Sequence, residues 1–307
     1  MKLLFAPMEG ITTCTFRNTH AQMFEGCDEY YAPFITPGSN EKVTRKGLKD
    51  VLPERNTTNL KVQVLTNSAD AFCPFAEKVK LVGYDELNIN FGCPSATVVG
   101  KWRGSGLLRD LDRLDALLYE IFEKSDIKIS VKTRIGYFSP DEIESIMEIY
   151  NKYPLSRLII HPRVRNDFYK GEPHLDAFEL AYNMSKNKVC YNGDIFTLSD
   201  YEYITERFPK LEEIMIGRGA VKNPAIFREI KGGKPLEIKE LLDFTLKLSE
   251  NYKEVLDSNV FTLHKLKEIW VYMLENFPED KKFAKEIKKS NKLSDLLNTV
   301  KKCADLQ

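Results

Sequence analysis

"ELNINFGCPS", residues 86–95, alternates strictly before it breaks. Successive side chains of an extended strand point to opposite faces. Leu87 and Ile89 therefore share one face, and Asn88 and Asn90 share the other. Gly92 and Pro94 then end the run around a thiol, Cys93. A lone cysteine is ordinarily a buried packing residue. The alternative is a catalytic acid or nucleophile at the mouth of a barrel strand, and the rest of the chain separates the two.

The same pattern recurs along the chain. Short apolar runs stand at 3–6, 30–34, 61–65, 86–90, 128–133, 157–161, 188–192 and 213–217, with amphipathic segments such as 110–125 and 140–153 between them. Asp110 or Asp112 suits the cap of the first segment, and Pro140 the first turn of the second. Eight strand–helix units within residues 1–235 predict a (β/α)8 TIM barrel rather than an open sheet. In "KISVKTR", Ile129 and Val131 oppose Ser130, Lys132 and Arg134; Gln63 opposes Val62 and Val64; His161 and Asn192 end their runs. If the apolar faces pack on helices, the polar ones point into the barrel at its C-terminal rim, where barrel enzymes place their chemistry. Polar residues on five strands predict a polar ligand there.

After "IKGGKPLEIKE" (230–240) strand patterns cease, which predicts an all-helical domain over 236–307. Its stretch 281–302 carries eight lysines against Glu286 and Asp295, in a chain whose 45 basic and 45 acidic residues otherwise balance. Such a run is ordinarily a solvated helix face, but beside a site for a polyanion it reads as a grip on phosphates. The six cysteines lack metal-ligand or disulfide spacing and read as reduced thiols, so no metal is expected. No apolar run has the length of a membrane span, and "MKLLFAPMEGITTC" lacks a signal-peptide core, so a cytoplasmic protein away from membranes is expected.

"MIGRGAVKNPAIFREI" (215–230) follows the eighth strand, with Gly217 and Gly219 around Arg218 and a helix start expected near 220–224. Barrels commonly bind phosphate after strands seven and eight, where glycines admit backbone N–H groups. Asn192, Gly193 and Asp194 form a polar turn at the same rim. A planar cofactor with a phosphate fits this arrangement, and FMN is the natural candidate: phosphate at Gly217–Arg218, polar ring edge near Gln63, Lys132 and His161.

The stretches "APMEGITTCTFR" (6–17), "LNINFGCPS" (87–95), "VKTRIG" (131–136), "HPRVRNDFYKGEPHLD" (161–176), "YNGDIFT" (191–197) and "IGRGAVKNPAIF" (216–227) resemble, in order, those of bacterial tRNA-dihydrouridine synthases. The resemblance implies an FMN barrel with a helical domain that grips tRNA, re-reduced by NADPH. It implies flavin contacts from Pro7, Met8, Glu9, Gln63, Asn90, Lys132, His161, Asn192, Gly193, Asp194, Gly217 and Arg218. Asn90 and Arg134 would face the uracil, and Cys93 would donate the proton that completes reduction. Glycines at 100, 104 and 106 suggest that the segment 94–106 closes over the base, with Lys101 and Arg103 on phosphates. Trp102 and Trp270 read as packing residues, and a monomer is expected. The same chemistry on ribosomal RNA, or an FMN barrel acting on a free pyrimidine, is the alternative.

Overall fold

The protein, seen here as a computed structural model, is described over residues 1–38 and 47–304. Eight parallel strands close a barrel in chain order: β1 (Lys2–Phe5), β2 (Glu29–Tyr31), β3 (Leu60–Val64), β4 (Glu86–Phe91), β5 (Lys128–Gly136), β6 (Leu158–Val164), β7 (Val189–Tyr191) and β8 (Glu213–Ile216), with β8 pairing back onto β1. Around them lie α1 (Cys14–Met23), α2 (Ala69–Leu81), α3 (Ala96–Val99), α4 (Leu111–Lys124), α5 (Ile143–Tyr150), α6 (Leu175–Met184), α7 (Leu198–Arg207), α8 (Arg218–Lys222) and α9 (Ile226–Ile230). Four helices complete the chain: α10 (Ile238–Leu256), α11 (Asn259–Met273), α12 (Lys281–Lys289) and α13 (Leu293–Ala304).

The TIM barrel and the C-terminal helices match the sequence reading, while several boundaries differ for local reasons. β2 stops at Tyr31, short of Pro33, whose missing N–H cannot join the ladder. β6 does not end at His161 but runs on to Val164, paired with β5 as far as Gly136. The helix after β8 begins at Arg218 rather than near 220–224, and it stops before Asn223, held extended by the following Pro224. Asp110 caps α4 by accepting the Arg113 N–H at 3.1 Å. Ser139 caps the 3-10 turn Pro140–Glu142 that leads into α5.

The alternation read from β4 holds around the barrel. Leu87, Ile89, Ile129, Val131, Leu158 and Ile160 belong to the core shared with the surrounding helices. The interior holds a small separate cluster of Leu4, Ala6, Tyr31, Ile159, Cys190 and Met215, and its other positions are polar. The outer core continues into the C-terminal helices through Phe16, Phe24, Phe227 and Phe244 around His20. Those helices seat on the first and last βα units. The Thr13 and Tyr252 hydroxyls bond at 2.8 Å, Asn251 donates to Thr19 at 2.8 Å, and Asn276 donates to the Lys222 carbonyl at 2.7 Å.

At the opposite, N-terminal end the interior is closed by charge. Arg157, 6% exposed, pairs with Glu213 through Nε and Nη2, meets Glu29 at 2.9 Å and donates to the Tyr31 hydroxyl at 2.5 Å. Lys2 reaches Glu29 at 2.6 Å, and Lys188 reaches Glu213 at 3.1 Å. Burial alone would raise the Glu213 carboxyl, but Arg157 and Lys188 hold it below its usual range. Its contribution to stability is therefore present at neutral pH and lost as pH falls through that depressed value. Arg157→Met leaves two buried carboxylates without their main counter-ion and is expected to destabilise the fold by about 3–5 kcal/mol in urea unfolding at neutral pH. An unchanged midpoint would show that Lys2 and Lys188 suffice.

Candidate active site

The C-terminal rim surrounds a cavity of about 470 Å3, within the range of small-molecule sites. Every cofactor residue expected from the sequence lines it, from Pro7 and Gln63 to Arg218, and so do Cys93 and Arg134. Lys101 and Arg103 do not. A larger groove of about 760 Å3 runs outside the barrel beside α6, where Arg207 pairs with Asp176. The rim cavity joins a thiol to a set of converging polar groups.

Cys93 is fixed at both ends of its peptide. Its N–H donates to Asn90 Oδ1 at 2.9 Å, joined there by the Gly92 N–H at 3.0 Å. Its carbonyl accepts from the Ser105 N–H at 3.1 Å and the Ser105 hydroxyl at 2.9 Å. Backbone N–H groups can only donate, so the Asn90 oxygen must face them and its Nδ2 must point away. That amide donates to Gln63 Oε1 at 2.8 Å, Gln63 Nε2 to Asn88 Oδ1 at 2.7 Å, and Asn88 Nδ2 to Ser130 Oγ at 3.0 Å. Each amide in this buried chain is turned one way by its neighbour. Burial pushes the Cys93 thiol above its ordinary pKa, against the pull of Arg134 and Lys132, so it carries its proton at neutral pH.

The segment 94–106 is not a free lid. It folds into α3 and the 3-10 turn Gly104–Arg109, with residues 104–108 buried. Gly104 has φ +54°, and a Cβ there would lie 2.7 Å from the Cys93 carbonyl oxygen; one on Gly106 would lie 2.9 Å from that of Val99. These glycines serve close packing, and a sequence reading cannot separate that from motion. Arg103 donates to Asn67 at 3.3 Å and Lys101 is exposed, both outside the cavity. Arg134 lines the cavity, yet its guanidinium donates to the carbonyls of Gly92, Val164 and Phe168 at 2.9, 2.8 and 2.6 Å. It ties the Cys93 turn to the loop after β6.

Cations dominate the remaining wall. Lys132 has no hydrogen bond or ion pair among the described residues; burial first, then Arg134, lower its pKa to about 8. His161 is driven well below its normal value by burial and by Arg134, Lys132, Arg163 and Arg218. Arg163 Nη1 donates to His161 Nε2 at 3.1 Å, so the neutral ring carries its proton on Nδ1. Asp194 does not offer itself to a ligand: Arg163 grips it at 2.6 and 3.0 Å, and Arg218 binds it from the other side. Arg163 is a site residue that the sequence reading missed. It sits two positions after His161 on the same strand face, which alternation reaches once β6 is carried to Val164. Tyr169 and, from α11, Tyr272 also close the mouth. Tyr169 lies inside one of the quoted stretches, whereas nothing local in the sequence marks Tyr272.

The model of the family described as Dihydrouridine synthase (Dus) matches residues 4–307. The chain belongs to this family. It is 28% identical to tRNA-dihydrouridine synthase B of Vibrio vulnificus over 235 residues, covering 75% of this chain and 70% of that protein. It is 26% identical over 244 residues to a tRNA-dihydrouridine(16) synthase of Pseudomonas putida, with coverage of 76% and 74%. Among solved structures, histamine dehydrogenase from Rhizobium sp. 4-9 superposes with a TM-score of 0.56 at 11% identity, over 81% of this chain and 49% of that one. A morphinone reductase in complex with tetrahydroNAD gives 0.51 at 9% identity, over 77% and 88%. These two likenesses are of fold.

Asn88 touches neither the cavity nor Cys93, yet it holds Gln63 the right way round. Asn88→Leu leaves the Gln63 amide short of an acceptor in a buried place, so a loss of about 1–3 kcal/mol is expected in urea unfolding. Alkylation of Cys93 by iodoacetamide, followed by mass spectrometry, is expected to accelerate as Asn90 loosens. Unchanged values of both would show that the two backbone bonds hold Asn90 alone.

Proposed function

We propose that this dihydrouridine synthase reduces a uridine of tRNA to 5,6-dihydrouridine on bound FMN, that NADPH is its reductant, and that Cys93 is the acid. The observation that carries the reading is the juxtaposition of a fixed, protonated thiol with a half-buried lysine that has no ion pair among the described residues, in one cavity. FMN fits the residues present. An orphan cation, a neutral histidine with a free Nδ1–H and two arginines sharing one carboxylate leave the wall short of negative charge, as an anionic ligand with a polar ring edge requires. Gln63, Asn90, Lys132 and His161 would hold the ring edge. Asn192, Gly193, Gly217 and Arg218 would hold the phosphate end, and Pro7, Met8 and Glu9 would close the first loop. α8 has only five residues and adds little dipole, so the charge of Arg218 supports phosphate binding more than the helix end does.

When bound, FMN supplies the hydride that adds to C6 of the uracil ring. The chain's own contribution is the proton at C5. A stacked base is out of reach, so the uridine must enter the cavity flipped out of its helix. Cys93 donates its thiol proton to C5 and is left as a thiolate, beside Arg134 and Lys132, until water reprotonates it. Asn90, turned by the Cys93 peptide, presents its remaining N–H toward the same space. Arg134 fixes the thiol turn, and the uracil contact assigned to it from sequence is proposed as secondary to that task. The exposed lysines of α12 and α13 suit a polyanion and not a free pyrimidine. We place the reaction in the cytoplasm, carried out by a monomer; no described helix is long and apolar enough to cross a membrane.

Two outcomes test this. Cys93→Ala is expected to bind FMN and to be reduced by NADPH at the wild-type rate, but to form dihydrouridine roughly 10²- to 10⁴-fold more slowly. The wild-type rate is expected to hold through neutrality and to decline only in the alkaline range, because burial raises the Cys93 thiol above its ordinary value and keeps it protonated. Wild-type turnover by Cys93→Ala would remove the assignment. Separately, an anionic ligand favours charged Lys132, so FMN affinity of the apo-protein is expected to fall above about pH 8, by up to tenfold per unit, in fluorescence titrations. Lys132→Met is expected to flatten that dependence, and a persisting slope would place the proton elsewhere.

A further inference from the structure

We propose that the rim of the barrel opposite the C-terminal helices is a second RNA-binding surface, on which nucleotides flanking the target uridine stack. The proposal rests on the tRNA reading above and adds a surface that neither the lysine helices nor the cavity supplies.

Arginines and aromatic rings alternate along this rim. Arg113 lies 4.2 Å and Arg109 4.1 Å from the Trp102 ring centre. Arg109 is also 5.2 Å from Tyr137, and Arg165 lies 5.6 Å from Tyr137 and 4.9 Å from Phe168. The next residue, Tyr169, lies under Arg134 and Arg218 at 5.4 and 5.1 Å, so the ladder runs to the mouth of the cavity. It is built from the loops after β4, β5 and β6. In a barrel closed in chain order these lie across from β8 and β1, where the C-terminal helices sit.

Three observations separate this row from ordinary surface packing. Phe138 and Phe168 are 66% and 42% exposed, and Phe138 meets Tyr137 edge to face at 4.6 Å, so apolar rings face water beside the cavity. Phe168 stands at φ +53°, a costly backbone region for a bulky residue, with its carbonyl held by Arg134. Two of the three arginines also lack a counter-ion: among the described residues no carboxylate lies within ion-pair distance of Arg109, which donates to the Gly106 and Val99 carbonyls, or of Arg165, whereas Arg113 meets Asp110 at 3.9 Å. Arg165 bonds only to Asn166 through Nη1 at 3.2 Å, and its buried Nε has no partner. By contrast Arg207 and Arg228 are paired with carboxylates, Asp176 at 2.5 Å and Glu240 at 2.8 Å.

Unpaired guanidinium groups beside open ring faces suit a flexible strand that carries phosphates and bases, since every base has a face to stack and every linkage a charge. A uridine drawn out of its helix has a phosphate on each side, and the ladder and the C-terminal helices reach the cavity mouth through Tyr169 and Tyr272 respectively. Trp102 and Phe168 have arginines against their rings and are spacers; Phe138 offers the open ring.

The test uses full-length, flavin-loaded protein and measures tRNA affinity across a salt series together with flavin reduction by NADPH. Phe138→Ala is expected to weaken tRNA binding roughly fivefold or more with the salt slope unchanged, as loss of a stacked base does. Arg165→Gln is expected to lower the slope of log affinity against log salt by about one, as loss of a phosphate contact does. Both are expected to reduce flavin at the wild-type rate. Wild-type affinity and slope in both variants would overturn the ladder while leaving the tRNA reading intact. A loss of affinity that arrives with slowed flavin reduction would also overturn it, placing the effect inside the barrel. Absence of tRNA binding by the wild-type protein would remove the function itself.

Discussion

The Asn90 carboxamide accepts two backbone bonds from the turn that carries Cys93, and the polar interior of the barrel is oriented from that point. A parallel barrel of eight strands directs every second side chain into a space too narrow for free water. Polar groups placed there must satisfy one another or be left at a cost. The chain from Asn90 through Gln63 and Asn88 to Ser130 meets that requirement with four residues on three adjacent strands. It also removes the freedom of each amide to turn over. Pre-orientation of this kind is what a site needs if its donors are to meet a ligand without rearrangement.

The two ends of the barrel treat charge in opposite ways. At the N-terminal end Arg157, Lys2 and Lys188 meet Glu29 and Glu213, and the charges cancel. At the C-terminal end Arg163 and Arg218 share the carboxylate of Asp194, Arg134 donates to backbone carbonyls, Lys132 has no ion pair among the described residues, and Glu9 lies at the mouth. Burial first, and the neighbouring Arg134 charge second, make Lys132 give up its proton more readily there than in water. The same deficit becomes binding energy for an anion. Stability therefore resides in the closed end and function in the strained one.

Much of this was legible because it is written in periodicity. A period of two in "ELNIN" and "KISVKT" placed Asn88, Asn90, Ser130 and Lys132 inside before any contact was known. Cys93 was legible from its neighbours, glycine and proline, which end a strand at the rim. What periodicity cannot carry was missed. Arg163 was lost because "HPRV" contains a proline and was read as the end of a strand that in fact continues to Val164. The segment 94–106 was read as closing over the base because glycines suggest mobility, whereas Gly104 and Gly106 let the backbone pack against Cys93 and Val99. Tyr272 reaches the cavity from more than a hundred residues beyond Arg163, and only the tertiary fold brings the two to one mouth.

The C-terminal helices also complete the site. Lys265 of α11 donates to the Gly10 carbonyl at 3.0 Å, and Tyr272 of the same helix lines the cavity. Gly10 belongs to the first loop, which turns at φ +74° there and is closed by Thr12 and Ile11 bonding back to Met8. Force applied to α11 by a bound polyanion therefore has a short route to Met8 and Glu9 at the cavity wall. On the other side the loop after β6 is tied by Arg134 to Gly92, one residue from the thiol. Both edges of the mouth are thus joined through two or three bonds to groups placed at the reacting centre. In the proposed reaction a nucleic acid seated across the mouth would bear on both edges at once, and through them on the turn that carries Cys93.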